Sequence, residues 1–346
     1  MTDIEQADLT FWYDCLGKIP THFMKSSKDG GRTFEEIMMI ARHLPKEQRG
    51  LHSETIRRHM KSLELVIDRA RAEGHFLRDN LDLTRQKPKK RSRNKAHKRR
   101  SVFREAEAQK TFAHSVWQGC KSHGQRHTAG DVILKDALYW IPITLAYTGA
   151  RRAEIAGLTV DDFEEHDGVP CIVIRPNQFR GIKGDPDAPN GEDSLTRNVP
   201  IHSHLIELGL LDQFAEMRSK GHKLAFPDVV PKARKTSAIQ DAHERALSVE
   251  KFGESIDYMW RKALQIALGE NPRKLCIHSL RHYVNHALIH TAGIHEVTRF
   301  DIRGHVEEKE DARKGGRQVS VNANVYRDDT SVALKKLAIE SLPRLF

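Results

Sequence analysis

His278, Arg281, His282 and Asn285 recur at a spacing that sets them on one side of a helix at 100° per residue, while Leu280, Val284, Ala287 and Thr291 fall on the other. One face packs; the other offers cations and hydrogen-bond donors. Gly293 is placed to end that helix, a second short helix is expected through Val297 and Phe300, and Gly304 would end it just before His305. Two histidines and an arginine converging beside a helix start make a site for an anion. Free N–H groups and the helix dipole favour phosphate there. His278, His282, His286 and His290 also lie at i+4 intervals, which would suit a metal stripe, but no acidic or cysteine partner accompanies them at zinc-ligand spacing. No metal is expected.

The elements around this stretch read as mainly helical. Phe34, Ile37, Met38, Ala41 and Leu44 follow helical spacing. Ser53 is expected to cap a helix running through Arg71, with Ile56, Met60, Leu63, Ile67 and Ala70 as its packed stripe and Gly74 at its end. Arg57, Arg58 and Lys61 lie off that stripe and form a basic surface, which is also what an ordinary solvated helix face would show. Further on, Val102–Cys120 reads as one helix and Asp131–Tyr147 as another, with Leu134, Leu138, Ile141 and Leu145 in register. After Leu158 the period changes from 3.6 to 2. Cys171–Arg175 and Thr196–Ile201 then read as strands, joined by a Gly-, Pro-, Asp- and Asn-rich turn that carries Lys183. Helical patterns return at His204–Met217 and Ser255–Leu268, and Ser331–Leu342 makes a short amphipathic tail.

At 346 residues with 38% hydrophobic content, the chain is long enough for two or three domains with ordinary cores. Its net charge of +10 is unevenly placed. Residues 84–100 hold Arg85, Lys87, Lys89, Lys90, Arg91, Arg93, Lys95, Lys98, Arg99 and Arg100 without an acid, and these cations equal the whole net charge. A polyanion would therefore be engaged through one concentrated segment plus local patches; the plainer reading is a solvated linker or a localisation signal. Cys15, Cys120, Cys171 and Cys276 show no paired spacing, which fits a reduced intracellular compartment. No apolar run approaches the roughly 20 residues that cross a bilayer. The N-terminus lacks a signal-peptide core, so a cytoplasmic, soluble protein is expected.

Four motifs in order carry a resemblance. T-G-x-R-x-x-E at Thr148–Glu154, H-x-x-R-H at His278–His282, G-H at Gly304–His305 and the downstream Tyr326 are similar to those of the tyrosine recombinase, or phage integrase, family. The stretch ARAEGHFLRDNL at Ala70–Leu81 also resembles the end of the core-binding domain that precedes the catalytic domain in many integrases. The motif run covers Thr148 to Tyr326, and the N-terminal likeness extends it to most of the chain. Two departures accompany it: the segment between His305 and Tyr326 is longer than the compact spacing common in that family, and so is the turn between Lys183 and Arg197.

The chemistry such residues need can be argued from the phosphodiester itself. Opening it without a metal requires positive charge and donors around the non-bridging oxygens, because negative charge there repels an anionic nucleophile. Arginine suits this role through its planar, permanently charged fork. Arg151 and Arg281 are the candidate clamp, with Arg152 as the rival for the first position and Glu154, at i+3, orienting the guanidinium. An Arg/Glu pair at this spacing is also a common surface ion pair. Tyr326 is the candidate nucleophile, a phenol with an unperturbed pKa near 10 that needs a base and a polarised phosphate. His278 is the candidate acid/base, His305 a donor to a phosphate oxygen, and His282 a supporting residue. Lys183 matches the family's catalytic hairpin lysine, which protonates the leaving 5′ oxygen.

The resemblance implies a DNA breaking-rejoining fold. It would comprise a small helical DNA-binding domain over residues 1–83, a basic linker over 84–100, and a mixed, mostly α catalytic domain over 101–346 with a small antiparallel β-sheet. It further implies site-specific cleavage and rejoining of double-stranded DNA through a 3′-phosphotyrosyl link, without cofactor. A homo-tetramer on paired sites, a nucleoid-associated location and a C-terminal tail exchanged between protomers belong to the same expectation. A topoisomerase of the type IB kind, resealing the same strand, and a non-cleaving DNA-binding regulator remain open.

Overall fold

The computed structural model describes residues 4–23, 31–75, 81–83, 101–180, 196–229, 254–271, 273–304 and 330–346. Lys183, His305 and Tyr326 lie outside the described residues, as do the linker cations Lys89, Lys90, Arg91, Arg93, Lys98, Arg99 and Arg100. The chain divides into two compact units, Met1–Lys98 and Arg99–Phe346.

The first unit is helical, with α1 (Gln6–Leu16), α2 (Phe34–His43) and α3 (Ser53–Ala72). Thr33 and Glu36 cap α2 reciprocally: the Glu36 amide donates to Thr33 Oγ1 at 3.3 Å, and the Thr33 amide to Glu36 Oε2 at 2.9 Å. The stripe expected on α3 is the buried one, with Ile56, Met60, Ile67 and Ala70 packed among Leu9, Leu16, Ile19 and Ile37. Ser53 is not the cap. His52 precedes the helix and its Nδ1 accepts the Glu54 amide at 3.3 Å. On the opposite side Arg58 and Lys61 are exposed and Arg57 is half-buried.

The second unit is mainly α, with two small antiparallel sheets. The single helix expected over Val102–Cys120 is two, α4 (Glu105–Phe112) and α5 (Ser115–Gln118). His114 breaks it, because its Nδ1 accepts the Val116 amide at 3.1 Å and starts a new helix there. A hairpin follows that the sequence pattern does not reveal, β1 (Cys120–Ser122) with β2 (Gln125–Ala129). Its polar residues have no alternation to read.

Helix α6 (Ala137–Thr148) is the centre of the unit, and every residue in it is buried. A helix apolar on all sides must be enclosed by others, and α6 packs against α7 (Arg152–Ala156), α10 (Glu254–Leu268) and α11 (His278–His290). The helix starts later than its periodicity suggests. Asp136 caps it, accepting the Tyr139 amide at 3.1 Å, while Val132 pairs through its backbone with Cys120. Beside α6, Trp117, Trp140 and Trp260 are fully buried, with Phe112 stacked edgewise on Trp117 at 4.7 Å.

Strands β3 (Phe163–His166), β4 (Val169–Ile174) and β5 (Arg197–Pro200) form the second sheet in the order β3-β4-β5. The helical run expected over His204–Met217 is broken into α8 (Ser203–Glu207) and α9 (Leu210–Ser219) by Gly209, whose φ is +88°. After α11 come α12 (Glu296–Arg303) and α13 (Val332–Glu340).

The tail closes the unit. Helix α13 packs on β5 and β4, and Leu342 and Leu345 are buried. His202 Nε2 donates to the Leu342 carbonyl at 3.1 Å while its Nδ1 accepts the His204 amide at 3.0 Å, so one neutral tautomer satisfies both. Tyr147 Oη accepts the Leu345 amide at 3.1 Å and donates to His204 Nδ1 at 2.6 Å. Burial pushes both histidines down, His204 to about 4. These bonds tie Leu342 and Leu345 to His202 and Tyr147. Replacing Leu342 by Ala is expected to cost about 2–4 kcal/mol through weakened burial and a residual cavity, read as a lowered urea midpoint.

Candidate active site

Gly149 ends α6 in the left-handed region at φ +61°, with its amide on the Leu145 carbonyl at 3.0 Å. The chain then extends through Ala150 and Arg151, and Arg151 caps the short helix α7. Thr148 steadies this turn, its Oγ1 donating to the Thr144 carbonyl at 2.8 Å and accepting the Ala150 amide at 3.3 Å. Thr, Gly, Arg and Glu of the first motif therefore each have a geometric task.

Glu154 is the hub. It is 1% exposed, and its carboxylate accepts the Arg151 amide at 2.8 Å, Arg151 Nη1 at 2.8 Å and Arg197 Nη2 at 2.6 Å. Burial alone would raise its pKa; Arg197 first, then the hydrogen bonds and the charge of Arg151, hold it down at about 2. Arg151 stays partly open, with 28% of its side chain exposed. Spacing alone allows the pair to be a surface ion pair or part of a site; its burial decides for a built structure.

Arg281 comes from α11. On the face expected to offer cations, Arg281 itself is covered: it is 5% exposed, and its Nη1 donates to the Gly149 carbonyl at 2.6 Å. Contact is close, since a Cβ on Gly149 would lie 3.1 Å from Val284 Cγ1 of the same helix. Burial, then the charges of Arg151 and Arg303, push the Arg281 guanidinium down to about 9, which leaves it a cation at neutral pH. His278 opens α11 and is exposed, beside a cleft lined also by Arg151, Arg152, Asp257, Trp260 and Arg261. His282 stands one turn on, its ring edge against His278 with centroids 5.0 Å apart. Arg152, the rival to Arg151, is tied instead to Asp257.

The structure thus brings Arg151 and His278 to one cleft, with His282 against His278, and with Glu154 bonded to Arg151 and Arg281 to the Gly149 turn behind them. It adds three arginines that the motifs do not suggest. Arg197 is 5% exposed; Arg180 is buried on Asp162 at 3.1 Å and on the Glu154 carbonyl; Arg303 is bonded to Asn285. Arg197 has a signal in the sequence, because it alternates with the buried Val199 and Ile201 and so occupies an inward strand position. Gly304 ends α12 at φ +59°, as its spacing predicts, and the following residue is His305. Thr330 returns to this helix, its amide donating to Asp301 Oδ2 at 3.1 Å. Among the described residues no group of three His, Cys, Asp or Glu side chains gathers as metal ligands would, and no helix is long and apolar enough to cross a membrane.

No family model and no curated protein matches the chain in sequence. Among solved structures, the chain is similar to a XerH site-specific recombinase bound to its difH substrate, at 14% identity and a TM-score of 0.41, covering 94% of this chain and 71% of that one. It is also similar to the integrase from mycobacterium phage Brujita, at 16% identity and a TM-score of 0.38, covering 98% and 93%.

Replacing Glu154 by Gln would leave two guanidiniums without their shared carboxylate. The expected cost at pH 7 is about 3–5 kcal/mol. Because the folded pKa is depressed, the wild-type contribution is present above the unfolded carboxylate range and is lost as pH falls toward 2. Urea unfolding over a pH series should therefore show the gap between the two proteins narrowing below about pH 4.5.

Proposed function

We propose that the chain is a DNA strand-transferase of the tyrosine recombinase type. The observation that carries the reading is the convergence of Arg151 and Arg281 on the Gly149 turn beside a cleft lined by Arg151 and an exposed His278, with Glu154 buried behind Arg151 and its charge already satisfied. Such a cleft suits a phosphodiester, whose charge must be neutralised before a phenolate can attack. Arg151 and Arg281 hold the non-bridging oxygens, and His278 moves the proton.

Tyr326 attacks phosphorus, the P–O bond to the 5′ oxygen breaks, and a 3′-phosphotyrosyl link forms. Lys183 supplies the proton that the leaving 5′ oxygen takes, and His305 donates to a phosphate oxygen. The freed 5′-hydroxyl of a partner strand then attacks the link and restores the phenol. Bond energy is conserved in the link, so neither ATP nor a metal enters the balance. Thr330 supports Tyr326 as nucleophile: three residues lie between them, so four residue steps, about 14 Å of extended chain, are the greatest span between Tyr326 and Thr330, which is anchored on α12.

Residues 1–83 serve as the second DNA-binding domain, with Arg57, Arg58 and Lys61 as phosphate contacts, and residues 84–100 as the basic linker along the duplex. Assembly as a tetramer on paired sites and a nucleoid location complete the proposal.

Nicked or suicide duplexes carrying a cleavable site, selected from a random-sequence pool by binding, should yield a protease-sensitive covalent adduct with the wild type and none with Tyr326→Phe. An adduct that survives Tyr326→Phe would sink the mechanism. Joining of two different duplexes selects recombinase over a strand-resealing topoisomerase, and tight binding without any adduct selects a regulator. Replacing half the linker cations by Gln should make the salt dependence of DNA affinity shallower, by roughly one unit of log–log slope for each phosphate no longer neutralised; an unchanged slope would remove the linker from the interface.

A further inference from the structure

We infer that Arg197 is a positioning residue of this site, a rigid strut that sets Arg151 and the C-terminal end of α12 in a fixed relation. The inference rests on the recombinase reading above. Its guanidinium spans two elements far apart in sequence: Nη2 donates to Glu154 Oε2 at 2.6 Å, and Nε donates to the Ile302 carbonyl at 3.1 Å. The third nitrogen, Nη1, is buried and makes no hydrogen bond among the described residues. It lies against Gly304, where an added Cβ would stand 2.5 Å from it.

Charge neutralisation explains only half of this residue: Arg197 helps hold Glu154 ionised, but its Nε bond to the Ile302 carbonyl neutralises nothing. Glu154 already accepts both the amide and the guanidinium of Arg151, and the Glu154 carbonyl already accepts Arg180. A second buried cation on the same carboxylate adds repulsion with Arg281, whose guanidinium it pushes down further. What Arg197 adds is a connection. Its planar fork has fixed angles between donors, so bonds from Nη2 and Nε set the Glu154 carboxylate and the Ile302 carbonyl at one separation. Glu154 in turn orients Arg151, and Ile302 belongs to the last turn of α12, two residues before Gly304. Lysine at 197 would preserve the charge and reach one of the two acceptors, but not both. Arg197 also explains the glycine at 304, which needs a left-handed backbone and room for Nη1 at once.

The test uses the full chain and the suicide duplex that traps the wild type. Arg197→Lys is expected to bind the duplex within about threefold of wild type and to form the covalent adduct on the order of 10²-fold more slowly in a single turnover, the scale of an ångström-sized misplacement. Leu342→Ala, remote from the site, serves as the control for reduced stability, compared at a temperature well below both melting points. Slowing in Arg197→Lys but not in Leu342→Ala supports positioning. Equal slowing in both, tracking the melting temperature, overturns it in favour of a structural role. The double variant Arg197→Lys, Glu154→Gln should be no slower than the slower single one; multiplicative effects would show that Arg197 does not act through Glu154 and overturn the strut. If wild type forms no adduct, the recombinase reading itself fails. If wild type reacts and Arg197→Lys reacts equally fast, only the strut does.

Discussion

A carboxylate with no solvent beside it governs this molecule. Glu154 stays ionised because Arg151 and Arg197 reach it from two segments and the Arg151 amide from a third direction. Remove that negative charge and the guanidiniums around it repel, since the charge of Arg151 already pushes both Arg281 and Arg303 down. Four arginines against one glutamate is an arrangement out of balance by itself. The fold holds that imbalance in place, so the electrostatic work of assembling positive charge is done during folding, before any anion arrives.

The apolar frame around α6 makes that possible. Its burial on every side fixes where Gly149 turns the chain, and that turn presents both the carbonyl that receives Arg281 and the backbone that carries Arg151. Gly304 repeats the device at the end of α12, again in the left-handed region and again against an arginine. Two helix ends, each closed by a glycine, thus face a common set of cations.

Much of this is written in the residues, and the parts that are not share a physical reason. The α3 stripe, the α12 boundaries and the pairing of Arg151 with Glu154 follow local periodicity or i+3 spacing and stand where the spacing puts them, whereas α11 ends at His290 with an extended Thr291, before the Gly293 expected to end it. The β1–β2 hairpin has no alternation, and His114 acts as a cap although its type seldom signals one, so both are invisible to pattern. The apolar period of α6 continues upstream of Asp136 into a segment paired with Cys120, which is why periodicity alone starts that helix too early. A helical wheel puts Arg281 on an open face, because it shows which residues share a side and not what a distant turn covers. Arg197 and Arg303 depend on contacts across more than a hundred residues in one case and on the fold of α11 in the other.

Asp301 and Gly304 belong to α12 and its cap, and Thr330 is bonded to Asp301, so the 25 residues between Gly304 and Thr330 leave one short helix and return to it. Joining two neighbouring points through a longer chain costs entropy only logarithmically, about 0.6 kcal/mol for each doubling. The bond between Asp301 and Thr330 is therefore compatible with a long connection at little cost in stability, because its strength lies in the two ends it joins and not in the length of chain between them.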